Sequence, residues 1–223
     1  MRKIFIPIKE KSQRVPCKNF RKFGDSTLWE RCINKFSDKF QVYVDTDSDY
    51  IFNAITNGSY QYPVIVYKRH EELCGHEISV NALIRRFVIS HCNDTEDVIC
   101  QLHVTSPFLS VETVIKSFDI LESGNNDSVI GCNNIQSRLW RTESFGFSPV
   151  NHDPRKLIQT QDLPVYYEDN SALYTFTPPL FWSDRSNRIG RNPYFLEIPF
   201  PENMDIDTED NWNSCKMLEG CLK

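Results

Sequence analysis

Two short stretches, near opposite ends of the chain, carry residue types that could handle a charged phosphate. The first runs Lys9-Glu10-Lys11-Ser12-Gln13-Arg14-Val15-Pro16-Cys17-Lys18-Asn19 and sets Lys9, Lys11, Arg14 and Lys18 against the acid Glu10. Cations at that density suit a triphosphate. Loop N–H groups can hold phosphate oxygens, while Lys and Arg neutralise charge developing on a leaving pyrophosphate. A solvated basic turn is the plainer reading of charge alone. The second stretch is Asp205-Ile206-Asp207-Thr208-Glu209-Asp210. In an extended segment residues i and i+2 point to the same side. Asp205 and Asp207 can then offer two hard oxygens to one Mg²⁺, with Ile206 turned into the core. The competing reading makes Asp207 or Thr208 the N-cap of a helix through Trp212, Cys215 and Met217.

Elements that could position these stretches are legible in the hydrophobic spacing. Short β-type runs are expected at 3–8, 41–45, 63–67, 97–102, 128–132, 173–177 and 195–198. Val80, Leu83, Ile84, Phe87 and Val88 form one apolar helix face, as do Val111, Val114, Ile115, Phe118 and Leu121. Thr27-Leu28-Trp29-Glu30 reads as a capping box opening a helix through Cys32, Ile33 and Phe36. Strands alternating with helices predict an α/β fold, a mostly parallel sheet covered on both faces, with ligands at the carboxyl ends of its strands. Residues 136–170 break the rhythm and are expected to form an insertion on a single domain spanning 1–223.

Composition narrows the function classes. Hydrophobic residues make up 40% and charged residues 25% of the 223, as in a soluble globular domain. A net charge of −5 disfavours a broad nucleic-acid surface, while a local basic cluster still suits a small anion. The apolar part of the N-terminus is too short for a signal peptide, and no run is long enough to span a bilayer. The eight cysteines lack C-x-x-C pairs and zinc-type spacing and read as reduced thiols, so a cytoplasmic location is expected.

The basic stretch resembles the signature I-P-A-R-G-G-S-K-x-I-P-x-K-N of the acylneuraminate (CMP-sialic acid) and 3-deoxy-manno-octulosonate cytidylyltransferases. Ile6, Pro7, Ser12, Pro16, Lys18 and Asn19 match, with Val15 standing for Ile. Lys9 replaces the Arg, Glu10-Lys11 replaces the Gly pair and Gln13 replaces the Lys. Later matches follow in family order. Val44-Asp45-Thr46-Asp47-Ser48-Asp49 is similar to V-S-T-D-x-E, read in its own right as a helix N-cap with acids favoured by the helix dipole. Arg69 with Glu72, Leu73, Gly75 and Ser79 resembles R-P-x-E-L-x-G-D-x-x-S. Leu102-His103-Val104-Thr105-Ser106-Pro107 resembles L-Q-P-T-S-P with His for Gln. Gln161-Asp162-Leu163-Pro164 resembles Q-x-L-P, and Tyr167 to Tyr174 resembles Y-x-x-N-G-A-I-Y. The acid pair matches D-I-D-T-E.

The resemblance implies a Rossmann-like nucleotidyltransferase fold. It further implies transfer of CMP from CTP to an acidic 2-keto-3-deoxy sugar with release of pyrophosphate, and a homodimer formed through the insertion. Lys18, Asp205 and Asp207 would be catalytic, with Asp205 and Asp207 on Mg²⁺. Lys9, Lys11, Ser12, Arg14, Lys18, Asn19, Arg69 and Ser79 would meet the nucleotide. His103, Thr105, Ser106, Lys156, Asn170 and Tyr174 would meet the sugar. An Arg of the sialic-acid enzymes is Thr160 here, which leaves Arg138, Arg141 or Arg155 as possible replacements. A metal-dependent glycosyltransferase and a non-catalytic nucleotide-binding relative are the alternatives.

Overall fold

Apolar β-formers with a two-residue period determine the centre of the molecule. A computed structural model describes residues 1–58, 64–75, 77–92, 96–182 and 186–222. In chain order these form β1 (Arg2–Ile8), β2 (Lys22–Phe23), β3 (Ser26–Thr27), α1 (Leu28–Ser37), β4 (Gln41–Thr46), α2 (Asp49–Asn57) and β5 (Val64–Lys68). There follow α3 (Val80–His91), β6 (Val98–Leu102), α4 (Val111–Glu122), β7 (Ser128–Ile135), β8 (Trp140–Glu143) and β9 (Gly146–Pro149). The chain ends with β10 (Tyr166–Phe176), β11 (Pro193–Glu197) and α5 (Glu209–Cys221). Pro63, expected at the start of the third strand, lies outside the described residues.

Among the described residues seven strands make one sheet in the order β11-β7-β10-β6-β1-β4-β5. The pairs β1–β4, β1–β6, β4–β5 and β7–β11 are parallel, and β10 runs antiparallel to both β6 and β7. The mostly parallel, doubly covered α/β sheet expected from the alternating pattern is therefore present, with one reversed strand inside it. Along β1 the alternation is visible residue by residue. Ile4, Ile6 and Ile8 join the cluster that holds Trp29 and Ile33 of α1, Ile51 of α2 and Phe118 of α4. Phe5 faces the other way, into α3, where its ring stacks on Phe87 at 4.7 Å. Burying each such side chain stabilises the fold by about 1.5–3 kcal/mol before entropy is counted.

The helix starts follow their capping signals. Thr27 accepts from the Glu30 amide while Glu30 Oε2 accepts from the Thr27 amide at 2.9 Å, so the capping box is formed. Ser48, not Asp45 or Asp47, caps α2 by accepting from the Ile51 amide. The expected N-cap within 44–49 is therefore formed, with Asp49 as the acid in the first turn, while Asp45 and Asp47 are left for other work.

Of the irregular stretch 136–170, residues 140–149 form the two-stranded unit β8–β9, and 166–170 belong to β10, paired with β7 across a register shift between Asp169 and Tyr174. Most of the stretch lies at the surface, with Phe145 fully exposed and Leu157 89% exposed, while Leu163 is buried. Among the described residues no helix is long and apolar enough to cross a membrane. The eight cysteines form no disulfides, and five of them are buried.

Candidate active site

Parallel strands deliver their carboxyl ends, and the loops that follow, to one edge of the sheet. There a cleft of about 400 Å³ is lined by Lys9, Lys11, Ser12, Arg14, Lys18 and Asn19, with Arg69, His103, Thr105, Asp205 and Asp207 around them. The basic loop is anchored rather than loose. Glu10 donates its amide to Asp47 Oδ1 at 2.7 Å, and Asn19 Nδ2 donates to the Lys9 carbonyl at 2.8 Å. Lys9 Nζ donates to the Gly75 carbonyl at 2.9 Å, tying the loop to the segment after β5. Among the described residues of this loop the left-handed backbone position is Cys17, at φ 53. Glu10 and Lys11 therefore replace a glycine pair without entering the conformation that favours glycine.

The acid pair stands opposite. Thr208, and neither aspartate, caps α5: its side chain accepts from the Asn211 amide, and Asn211 Oδ1 accepts from the Thr208 amide at 3.1 Å. Ile206 is fully buried beside Phe23 and Trp212, and its amide donates to the Thr105 carbonyl at 2.9 Å. Asp205 and Asp207 both line the cleft as their spacing predicted. Lys18, only 8% exposed, donates Nζ to the Ile206 carbonyl and lies 3.6 Å from Asp207 Oδ1. Arg14 reaches the same Asp207 oxygen at 2.7 Å from the solvent side.

Charge and burial compete here. Burial draws the Lys18 ammonium below its usual value, with Asp205 and Asp207 pulling back. Burial pushes the Asp205 carboxyl up; repulsion from Asp207 adds to this, while Thr105 and Lys18 oppose it. Asp205 Oδ1 is buried and has no hydrogen-bond partner among the described residues. A buried anionic oxygen without a donor is what a hard divalent cation satisfies, so the donor set fits Mg²⁺. Among the described residues no larger His, Cys, Asp and Glu cluster gathers. Phosphate and water oxygens would complete such a shell.

Just after β5, the Arg69 side chain is fully buried. Its Nε bonds Asp45 Oδ1, and Nη2 donates to the Ile8 and Asp45 carbonyls, each at 3.3 Å. Asp47 Oδ2 lies 3.7 Å from Nη1. The two acids thus hold Arg69 and the basic loop together. Arg69→Leu is expected to cost about 3 kcal/mol in urea unfolding, because Asp45 would be left buried without its cation, and Asp45→Asn added to it should recover part of the loss. Pro7, Val15, Ile78, Val80 and Leu83 supply the apolar wall beside Arg69. Ser79 itself does not line the cleft; it caps α3, accepting from the Asn81 amide at 3.2 Å.

The remaining predicted residues separate into two groups. His103 and Thr105 line the cleft together with Ser171, which sequence reasoning did not single out. Tyr174 and Asn170 lie behind that wall. Tyr174 is 1% exposed and donates its hydroxyl to Asp169, and Asn170 donates to Asn133 Oδ1 at 3.1 Å. Ser106 is buried, its hydroxyl without a partner among the described residues. Lys156 is exposed in the irregular stretch between β9 and β10 and does not line the cleft. Nor do Arg138, Arg141 and Arg155, which bond the Ile158 carbonyl, Glu143 and Asp153.

Lysines and aspartates facing each other at the carboxyl edge of a parallel sheet define a phosphate-handling α/β protein. Residues 4–206 match the sequence model of the cytidylyltransferase family, and the chain belongs to that family. No curated protein sequence matches the chain. Its structure is similar to a CMP:2-keto-3-deoxy-manno-octonic acid synthetase complexed with CTP, at TM-score 0.69 and 13% identity over 100% of this chain and 99% of that one. It is also similar to 4-diphosphocytidyl-2C-methyl-D-erythritol synthase from Anaerococcus prevotii (TM-score 0.65, 11% identity, 97% of each chain). A third similar structure is the Francisella tularensis 2-C-methyl-D-erythritol 4-phosphate cytidylyltransferase (TM-score 0.66, 14% identity, 97% of this chain and 98% of that one). At these identities the structural likeness speaks to the fold.

Proposed function

We propose that the protein transfers CMP from CTP to an acidic 2-keto-3-deoxy sugar and releases pyrophosphate. The observation that carries this reading is the approach of Lys18 to Asp207 and the Ile206 carbonyl, which joins the basic loop to the acid pair inside one cleft. A sugar hydroxyl attacks the α-phosphorus, losing its proton to water as the new P–O bond forms. The bond from that phosphorus to the β-phosphate oxygen breaks, and pyrophosphate departs. Little covalent work falls to the protein, so positioning and charge govern the rate.

Lys9, Lys11, Arg14 and Lys18 hold the phosphates. Asn19 braces the loop through the Lys9 carbonyl, and Arg69 with its apolar wall holds the nucleoside. Asp205 and Asp207 would hold Mg²⁺, which when bound supplies neutralising charge to the phosphate oxygens. His103, Thr105 and Ser171 receive the sugar. Burial, with the nearby Arg188 and Lys18 cations, pushes the His103 imidazole down to about 4. At neutral pH it is an uncharged hydrogen-bonding group, suited to a hydroxyl. The exposed apolar residues Phe145, Phe147 and Leu157 support a homodimer through the insertion, with Lys156 offered to the partner's sugar end. The reading places this activity in the cytoplasm.

The test is pyrophosphate release from CTP and Mg²⁺ with a panel of 2-keto-3-deoxy sugar acids and with 2-C-methyl-D-erythritol 4-phosphate, beside UTP and Asp207→Ala controls. CTP-selective release dependent on a sugar acid and lost in Asp207→Ala is the expected result. Release with the erythritol phosphate instead would keep the cytidylyl transfer and replace the acceptor. Absence of CTP binding by calorimetry would overturn the reading.

A further inference from the structure

Behind the acceptor end of the cleft lies a half-buried cation that the proposed reaction leaves unused. Arg188 belongs to a turn clamped onto the start of β7. The Gly190 amide donates to Ser128 Oγ at 3.0 Å, and the amides of Arg191 and Asn192 donate to Asp127 Oδ2 at 2.6 and 2.9 Å. Gly190 packs so closely on the Asp127 carboxylate that no Cβ would fit. From this fixed base the guanidinium lies over the Tyr174 ring, 3.4 Å from its centroid, and Nη1 donates to the buried Gln101 Oε1.

Tyr174 passes the constraint onward. Its hydroxyl donates to Asp169 Oδ1 and Oδ2 at 2.7 and 2.8 Å and lies 3.3 Å from Ser171 Oγ. Ser171 is the cleft residue held in the left-handed region at φ 58. Such a conformation persists in a side-chain-bearing residue only where its surroundings enforce it. The His103 ring lies 6.4 Å from that of Tyr174.

We propose that Arg188 is a positioning residue for the acceptor end of the cleft, acting through Tyr174 on Ser171 and through its charge on His103, without touching the nucleotide. This rests on the reading above that His103 and Ser171 meet the acceptor. An arginine does not release its proton in a protein, so Arg188 supplies a permanent positive charge beside the imidazole. The other charges acting on His103 are Lys18, which adds to Arg188, and Asp169 and Asp207, which oppose it. His103 Nε2 is buried without a hydrogen-bond partner among the described residues, so one ring nitrogen remains available for the acceptor.

NMR on the full-length protein tests this, with Arg188→Gln, Arg188→Lys and Tyr174→Phe compared with wild type. Arg188→Gln is expected to raise the His103 titration midpoint by about one pH unit and to move the Ser171 amide resonance, with CTP–Mg²⁺ binding retained. Arg188→Lys keeps the charge and loses the planar fork. It should leave the His103 midpoint near that of wild type and still move the Ser171 resonance. Tyr174→Phe preserves the core volume, so it carries the test if the glutamine variant does not fold; the Ser171 resonance should move in it. A stationary His103 midpoint in folded Arg188→Gln, or a stationary Ser171 resonance in Tyr174→Phe, overturns the proposal. Loss of CTP binding in folded Arg188→Lys also overturns it, by assigning Arg188 to the nucleotide. Failure of the wild-type protein to bind CTP would sink the reaction while these resonance shifts still decide the role of Arg188.

Discussion

Asp205→Asn is expected to lower turnover about a thousandfold and, in the absence of metal, to make the folded protein more stable rather than less. Both effects follow from one atom. Asp205 Oδ1 is buried without a hydrogen-bond donor among the described residues, and burial together with Asp207 holds the carboxyl above its usual range. An ionised group whose folded-state pKa is raised opposes folding at neutral pH, so removing its charge relieves the penalty. The amide has nearly the same shape and can keep the contact with Thr105. A gain of about 1 kcal/mol, read as a rise of about 2–4 °C in melting temperature, is the expected size. Mg²⁺ should raise the melting temperature of the wild type and leave that of Asp205→Asn unmoved. Pyrophosphate release gives the kinetic half. A variant that keeps both its turnover and its Mg²⁺ response would reduce Asp205 to a structural strut.

Lys18→Met is expected to reduce turnover by about a hundredfold to a thousandfold, with CTP binding changed far less. The thioether replaces the aliphatic stem in a site where Lys18 is only 8% exposed, so packing is largely conserved. What disappears is the ammonium that donates to the Ile206 carbonyl and faces Asp207. Arg14 cannot take over, because it is 67% exposed and approaches Asp207 from solvent. Ground-state binding keeps Lys9, Lys11 and Arg14, while charge that develops on departing pyrophosphate meets one cation fewer. Calorimetry with CTP–Mg²⁺ and single-turnover pyrophosphate release separate the two quantities. Equal losses in affinity and rate would place Lys18 in uniform binding rather than in the transition state.

Local chemistry made much of this molecule readable in advance. Ile4, Ile6 and Ile8 against Phe5, or Leu83, Ile84, Phe87 and Val88, announce their elements because period and burial are consequences of backbone geometry. Thr27 with Glu30 behaves likewise, since a capping box spans one turn. The basic loop and the acid pair were visible as charge against an apolar background, and the order of the motifs between them pointed to the family.

Other features depend on distance along the chain. Lys18 and Ile206 are 188 residues apart, and nothing in either segment specifies that they touch. Asp45 and Asp47 were readable as acids near a helix start. The burial of Asp45 against Arg69 and the hold of Asp47 on the basic loop come from β4 lying beside both β1 and β5. Ser79 and Tyr174 carry motif residue types, yet their hydrogen bonds turn them to a helix cap and a buried support. Arg188 gave no local signal, because a lone Arg in a turn resembles any surface cation until β10 and β11 bring it over Tyr174. Sequence by itself determined the elements, the charge of the cleft and the chemical types available to it. Tertiary structure alone decided which of those groups share a low-dielectric space, since burial and counter-charge depend on neighbours that the chain brings in from far away.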